Sequence, residues 1–334
     1  MSADDTALPQ ARIDLIPLAL VGAIALAALA MIGSGSTWVT LTVAGLAMGL
    51  LIFIMASGLT LVFGLMDVMN FAHGLFIAIG AYVAVSVMRV FSGSAGAESF
   101  LANLGAIAPA LVAAIIVAGL LGLFFERVII RPVYGQHLKQ ILITTGGMIV
   151  AEQLIHVLWG PDLLPLPRPA TLRGSFLVGD IAFEKFRLIA VVIGLAIFVA
   201  LIVLLNRTKI GLLIRAGVEN KEMVEAMGYR IRRLFVAVFV AGAALAGLGG
   251  ALWGMYQESV TASIGAQMMV LIFIVIIIGG LGSVGGCFVG ALLVGLVANY
   301  VGYLSPKIAL GSNILLMVMI LLWRPQGLYP MSKQ

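Results

Sequence analysis

Three polar side chains, Asp67, Asn70 and His73, stand close together between two apolar runs of this sequence. They lie in DVMNFAHG (67–74), which is too short to be a hydrophilic loop. Ionisable residues at membrane depth are costly and are therefore functional candidates. Asn70 has both donors and acceptors, His73 can be neutral, and Phe71 adds an apolar wall. This mixture suits solute binding better than nucleophilic catalysis. The alternative interpretation is an interfacial turn satisfied locally by water.

A second carboxyl group, Glu152, lies in the later half of the apolar run 140–159, where it could also face the outer water. The sequence contains no P-loop, no H-E-x-x-H and no G-x-S-x-G motif. Its three histidines are far apart, and Cys287 is its single cysteine. We therefore predict no enzymatic activity, no nucleotide site, no metal and no cofactor.

The elements that must position these residues are membrane helices. The chain has 334 residues, of which 62% are hydrophobic and 10% charged, and its mean hydropathy of +1.18 excludes a soluble domain. We predict an all-α polytopic membrane protein of 8–10 transmembrane helices. A faint similarity of HGLFIAIGA (73–81) to GGCFVGA (285–291) allows two related halves. The ten candidate segments are 15–33, 38–66, 75–91, 100–125, 140–159, 188–205, 235–256, 266–278, 287–303 and 308–323.

The basic residues cluster in short segments between apolar runs, which indicates orientation in a membrane rather than nucleic-acid binding. The loops 126–139 and 206–234 and the tail 324–334 are therefore expected in the cytoplasm. Counting spans backwards places the polar N-terminus, 1–14, in the cytoplasm as well. The proline-rich segment 160–187 is then expected outside.

The loop 206–234 is the longest polar interruption of the transmembrane domain, 15–323. Within it, residues 217–228 are predicted to form one short amphipathic helix that Gly217 opens and Gly228 closes. Met223 and Met227 share a face at i, i+4 spacing, together with Asn220 and Ala216. The helix could dock a cytoplasmic partner, or the loop could simply lie on the lipid surface.

The stretch GGLGSVGG (279–286) holds too many glycines for a good helix. Non-helical backbone at membrane depth survives only against protein or a water-filled cavity. Gly282 and Ser283 are therefore candidates for lining a passage, and a surface turn is the alternative. The glycines of AGAALAGLGGALWG (241–254) are instead expected to pack helices closely.

Six stretches, in order, carry a resemblance to a known family. They are GLTLVFGLMDVMNFAHGLFIAIGAY (58–82), ERVIIRP (126–132), ILITTGGMIVAEQ (141–153), RAGVENKEMVEAMG (215–228), GGLGSVGG and RPQGL (324–328). The chain resembles the permease subunit of branched-chain amino acid ABC importers, of the LivH-like type. NFAHG is typical of this subunit rather than of its usual membrane partner. Val224 and Tyr229 depart from the family's usual alanine and isoleucine or valine, within the docking segment.

The resemblance implies a subunit of the inner membrane that translocates branched-chain or related hydrophobic amino acids. It implies a second permease subunit of related type, two cytoplasmic ATPases and an external substrate-binding protein. Urea or short amides are alternative substrates, and an ion-coupled secondary transporter is the rival class. The residues expected to couple to the ATPases are Arg215, Glu219, Asn220, Met223, Met227 and Gly228.

The position of DVMNFAHG, after an over-long apolar run and before another, predicts a helix interrupted near the membrane. Asn70 and His73 are expected to line or gate the passage. Asp67 is expected to cap the helix that follows.

Overall fold

A computed structural model describes residues 15–329, with the side chains of Leu65, Val218, Glu219, Lys221 and Leu310 left out of the description. Within that range the α-helices are α1 Ile16–Ile32, α2 Gly35–Met66, α3 His73–Val90, α4 Ser92–Gly96, α5 Phe100–Phe125, α6 His137–Trp159, α7 Lys185–Arg207, α8 Lys209–Glu219, α9 Lys221–Ala226, α10 Ile231–Gln257, α11 Ile264–Gly279, α12 Val284–Leu304 and α13 Pro306–Trp323. A π-helical turn, Glu126–Ile130, and two 3₁₀ turns, Arg131–Val133 and Ala170–Leu172, complete the helical elements described.

The predicted all-α polytopic membrane fold is confirmed. In the described range, seven helices are long and apolar enough to cross a membrane, and three shorter apolar helical stretches accompany them (16–32, 264–279 and 311–323). Together they correspond to the ten segments predicted from hydropathy. The strands form two small antiparallel pairs: β1 Leu164–Pro165 with β4 Ser259–Val260, and β2 Ser175–Val178 with β3 Ile181–Glu184.

The connections between helices gather at two opposite ends of the bundle. We call one the basic end: it holds the end of α2, the α5–α6 connection, α9 and the start of α10, which border a common cavity. The helix α8, which leads into α9, belongs to this end as well. The α11–α12 turn belongs to it too, because Gly282 packs against Gly64 of α2. We call the other the hairpin end, because it holds the β2–β3 hairpin and the β1–β4 pair. From α5 to α12, successive connections therefore lie at opposite ends in turn.

The bundle is centred on α2, which packs against α10, α12 and α7. Glycines allow close contact between α2 and α10, and likewise between α3 and α10. A Cβ on Gly58 would strike the carbonyl group of Gly242, and a Cβ on Gly80 would strike Gly247. In a membrane, where water does not drive apolar helices together, such small residues allow the backbone approach that stabilises the bundle. This agrees with the expected role of the glycines in α10.

Candidate functional site

The chain between α2 and α3 turns back into the bundle. α2 ends at Met66, and Asp67 follows in the left-handed region, at φ +49°. Six residues later, the Nε2 atom of His73 lies 2.9 Å from the carbonyl oxygen of Met55. Because a carbonyl only accepts, the buried imidazole donates this hydrogen bond. Met55 lies about 16 Å along the helix from Met66, at 1.5 Å per residue. The His73 ring therefore reaches well into the bundle, and the predicted helix interruption is confirmed.

We call residues 67–72, between α2 and α3, the returning segment. Neighbouring side chains form hydrogen bonds with part of its backbone. The amide of Phe71 donates to Thr144 Oγ1 of α6 at 3.2 Å, and the amide of Ala72 donates to Asn70 Oδ1 at 3.1 Å. Asn70 is 1% exposed, and its Nδ2 atom has no hydrogen-bond partner within residues 15–329. An unpaired buried amide donor is costly, so Asn70 Nδ2 is ready to bind an acceptor that enters the bundle.

The predicted cap of α3 by Asp67 is wrong. The residue at the N-cap of α3 is Ala72, and no side chain caps this helix. Asp67 stays at the basic end because the returning segment separates it from α3. Its carboxylate is exposed and lies 3.8 Å from Nε2 of His137.

Gly282 and Ser283 lie at the basic end and are not brought next to His73. Gly282 packs against Gly64 of α2. Along α2, Gly64 is about 13 Å from Met55, whose carbonyl His73 contacts. Ser283 caps α12, since its Oγ accepts from the amide of Gly286 at 3.1 Å. The turn is also covered by the tail, where the amide of Leu328 donates to the carbonyl of Ile278 at 2.9 Å. A passage role for these two residues stays a prediction.

The predicted single helix over 217–228 is wrong, because the structure has two helices there. Gly217 lies inside α8, and the chain breaks at Asn220, whose backbone is extended (φ −150°, ψ 95°). The break is stable because Asn220 Oδ1 accepts from the amide of Met223 at 2.9 Å and so caps α9. Ala216 therefore belongs to a different helix from Met223. Gly228, at φ +88°, follows α9 in the left-handed region, as predicted.

The short helix α9 presents apolar side chains to the outside. Met223 is 59% exposed and Met227 is 68% exposed, while Val224 is buried. Arg215 of α8 donates to the carbonyl of Leu205 and to Asn206 Oδ1, so it ties α8 to the end of α7. The side chain of Glu219 lies outside the described residues. A docking role for this segment stays a prediction.

Comparison with known proteins adds the deciding observation. Residues 41–323 match the family model described as "branched-chain amino acid transport system / permease component". The chain belongs to this permease family.

The similar proteins support this membership. The permease is 30% identical over 295 residues to the high-affinity branched-chain amino acid transport system permease protein BraD of Pseudomonas aeruginosa, covering 85% of this chain and 93% of BraD. It is 27% identical over 291 residues to LivH of Escherichia coli, covering 85% and 92% of the two chains. With the probable permease protein LivM of Methanocaldococcus jannaschii it shares 24% identity over 326 residues, covering 84% and 90%. No solved structure matches the permease.

Two polar clusters of the permease were not predicted from its sequence. At the basic end, Glu126 is buried in the π-helical turn and accepts from the hydroxyl of Tyr134 at 3.0 Å. Burial, together with the Glu126 carboxylate, raises the pKa of Tyr134, so the hydroxyl remains a donor at neutral pH. Glu126 is the first residue of ERVIIRP and Tyr134 lies two residues after it, so a single acid among apolar and basic residues was the available signal. Tyr134 also lines a cavity of about 510 Å³ beside α9.

The second cluster joins the hairpin end to α10. Arg168 donates through Nε to the carbonyl of Met255 at 3.0 Å and through Nη2 to the carbonyl of Tyr256 at 2.7 Å. It also pairs with Glu184 and lies 3.3 Å from the carboxylate of Glu258. The signal was an arginine inside the proline-rich run 161–169, but its partners are distant in sequence. Among the described residues, no group of three or more His, Cys, Asp or Glu side chains could hold a metal ion.

Proposed function

We propose that this chain is the membrane-spanning permease subunit of an ATP-binding-cassette importer in the cell inner membrane. It translocates branched-chain or related hydrophobic amino acids into the cytoplasm. The observation that carries the proposal is the family match over residues 41–323. Relatives named as branched-chain amino acid permeases, similar over most of their length, add support.

The importer needs partners, because the sequence contains no nucleotide-binding motif of its own. We assign it a second permease subunit of related type, in line with the LivH and LivM proteins that both resemble this chain. Two cytoplasmic ATPases supply the energy, and an external binding protein delivers the substrate. The exposed Met223 of α9 and Met227, which directly follows α9, support an ATPase contact there, because methionine side chains adapt to fill apolar grooves.

The basic end faces the cytoplasm in this proposal. Arginines and lysines concentrate in its connections, which follows the positive-inside rule. The hairpin end then faces outside, where a binding protein can reach it. Both termini of the chain are assigned to the cytoplasm by the same span count.

Cysteine labelling tests this orientation. We expect Ser175→Cys, in the exposed strand β2, to react with a membrane-impermeant maleimide from outside intact cells. We expect Glu222→Cys, at the exposed start of α9, to react only after the membrane is opened. Because the native Cys287 is buried, a Cys287→Ser background removes the residual signal. Labelling of both sites from the same side would contradict the orientation.

The returning segment is assigned to the passage. A branched-chain amino acid is a zwitterion with an apolar tail, so its path needs a few neutral hydrogen-bonding groups beside an apolar wall. Asn70 provides an unpartnered buried amide donor, and the imidazole of His73 lies deep in the bundle. Non-helical backbone at such depth is typical of segments that border a cavity. Asp67 lies at its cytoplasmic mouth.

Uptake by the complete importer reconstituted in vesicles tests this function. We expect radiolabelled leucine, delivered by the binding protein, to enter only when ATP is available to the ATPases, and without a proton gradient. His73→Leu removes the donor to Met55, and we expect it to lower uptake about tenfold or more, while the complex still assembles and hydrolyses ATP. Asn70→Leu should do the same. Uptake driven by a proton gradient without ATP would establish a secondary transporter instead.

A further inference from the structure

The carboxyl group of Glu152 lies within a membrane span but belongs neither to the proposed passage nor to the proposed ATPase contact. Glu152 lies in α6, seven residues before the helix ends at Trp159, or about 10 Å from that end at 1.5 Å per residue. Within the described range it forms no ion pair with a basic residue. A carboxylate inside a span is expensive unless it faces protein, a cavity or a ligand, and such residues mark functional sites by default.

The surroundings of Glu152 are a crevice between three helices. α6 contributes Glu152 and Ile155, α3 contributes Gly74 and Leu75, and α11 contributes Gly265. Gly74 is the residue after His73, so the crevice adjoins the returning segment. Its accessible volume of about 10 Å³ matches one small polar group, the size of a water molecule. The other residues that line it are apolar: Ala78, Met148, Ala151 and Ala262.

Two helices begin at this crevice. Gly74, in the first turn of α3, and Gly265, in the first turn of α11, are in backbone contact: a Cβ on Gly74 would lie 2.6 Å from the carbonyl oxygen of Gly265. No side chain caps either helix. The positive ends of two helix dipoles therefore meet beside one carboxylate. The crevice therefore brings together a negative group and two positively polarised helix ends.

We propose that Glu152 binds the ammonium group of the transported amino acid as it passes. The ligand is a zwitterion: the ammonium enters the crevice, and the carboxylate lies towards the starts of α3 and α11. Leu75 and Ile155 contact the apolar side chain of the substrate. The inference rests on the proposed function, and it adds the group that distinguishes an α-amino acid from an uncharged solute of the same size.

The competing partner for Glu152 is a basic side chain of the second permease subunit. The crevice is small and its floor is apolar, which suits a primary ammonium better than a guanidinium. Gly74, which lines the crevice, directly follows His73 in the segment that already offers hydrogen bonds. These observations favour the substrate ammonium over a basic side chain of the second subunit as the partner of Glu152. The experiment below distinguishes these two partners.

The test is binding-protein-dependent uptake of radiolabelled leucine by the complete importer in vesicles. We expect Glu152→Gln to lower uptake about tenfold, the loss expected when a charge-assisted hydrogen bond becomes a neutral one. ATP hydrolysis stimulated by the loaded binding protein should stay within about twofold of wild type, because the ATPase contacts are untouched. Glu152→Asp, which keeps the charge, should restore most of the uptake. The matched control is Gln153→Leu, on the exposed side of the same turn.

Three results overturn the proposal. Normal uptake by Glu152→Gln would mean that the carboxylate is not used. Loss of the assembled complex in Glu152→Gln would assign the residue to the subunit interface, and failure of Glu152→Asp to rescue would exclude a role for its charge. Normal uptake by Glu152→Gln alongside impaired His73→Leu and Asn70→Leu would reject the Glu152 site and leave the proposed passage standing. Uptake that does not need ATP would instead reject the proposed function itself.

Discussion

Gly250→Ala is expected to destabilise the bundle by about 3 kcal/mol or more, at the upper end of what overpacking a well-packed core costs. Gly250 of α10 faces α3, and a Cβ there would strike the carbonyl oxygen of Ile77. A backbone carbonyl cannot move aside without displacing its whole helix. The measurement is the thermal unfolding midpoint of the purified protein in detergent, together with the yield of monodisperse protein.

Gly105→Ala provides the matched control. Gly105 also lies inside a long helix, α5, but a Cβ there would meet no atom within 4 Å. Alanine favours helices over glycine by about 1 kcal/mol, so this variant should be neutral or slightly stabilised. Equal behaviour of the two variants would show that α3 and α10 do not approach at Gly250.

Met223→Asp is expected to abolish substrate-stimulated ATP hydrolysis and uptake while the subunit still inserts and folds. Met223 is exposed on α9, so aspartate is tolerated in the free subunit. In the docked complex, however, the carboxylate would be buried in an apolar groove without a partner. An unpaired buried charge costs about 3 kcal/mol or more, which corresponds to roughly hundredfold weaker docking. The measurement is ATPase activity of the reconstituted importer with and without loaded binding protein.

Two further variants sharpen this result. Met223→Leu preserves an apolar side chain of similar volume and should retain coupling. Glu222→Gln changes a neighbouring exposed residue by one charge and should have a small effect, as surface charges contribute little. Full ATPase stimulation in Met223→Asp would show that α9 does not contact the ATPase.

The sequence was sufficient to predict the membrane helices and the interruption after α2. Uncharged runs of about 20 residues span a bilayer whatever surrounds them, so ten segments could be read from hydropathy. DVMNFAHG was too polar for a helix and too short for a loop, and this conflict correctly indicated an interruption. Its depth could not be predicted, because the position of His73 depends on the carbonyl of Met55 in another helix.

The sequence led to wrong predictions where its local pattern was compatible with two different backbone conformations. Residues 217–228 contain good helix formers, yet Asn220 breaks the helix because its side chain caps the second part. Asparagine is favoured at N-caps and is only weakly unfavourable inside helices, so the sequence alone did not decide. Asp67 was a plausible cap for α3 by spacing, but the chain turns back before the helix begins. Likewise, the crevice beside Glu152 forms where α3, α6 and α11 meet. The hydrophobic pattern of a single segment cannot predict which helices pack together.

The central position of α2 has a consequence for how the protein is made. In an apolar stretch of 18 residues of this helix, 83% of the residues are buried in the complete bundle. Its main neighbours, α10 and α12, are synthesised about 200 residues later. Until they arrive, the surface of α2 must be covered by lipid. The buried hydroxyl groups of Ser57 and Thr60 are compatible with a lipid environment, because each donates to a carbonyl of α2 itself. Ser57 Oγ donates to the carbonyl of Ile54, and Thr60 Oγ1 donates to that of Ala56. Of the seven long apolar helices in the described residues, the most buried is thus also one that can reside in the bilayer during biogenesis before α10 and α12 replace lipid around it.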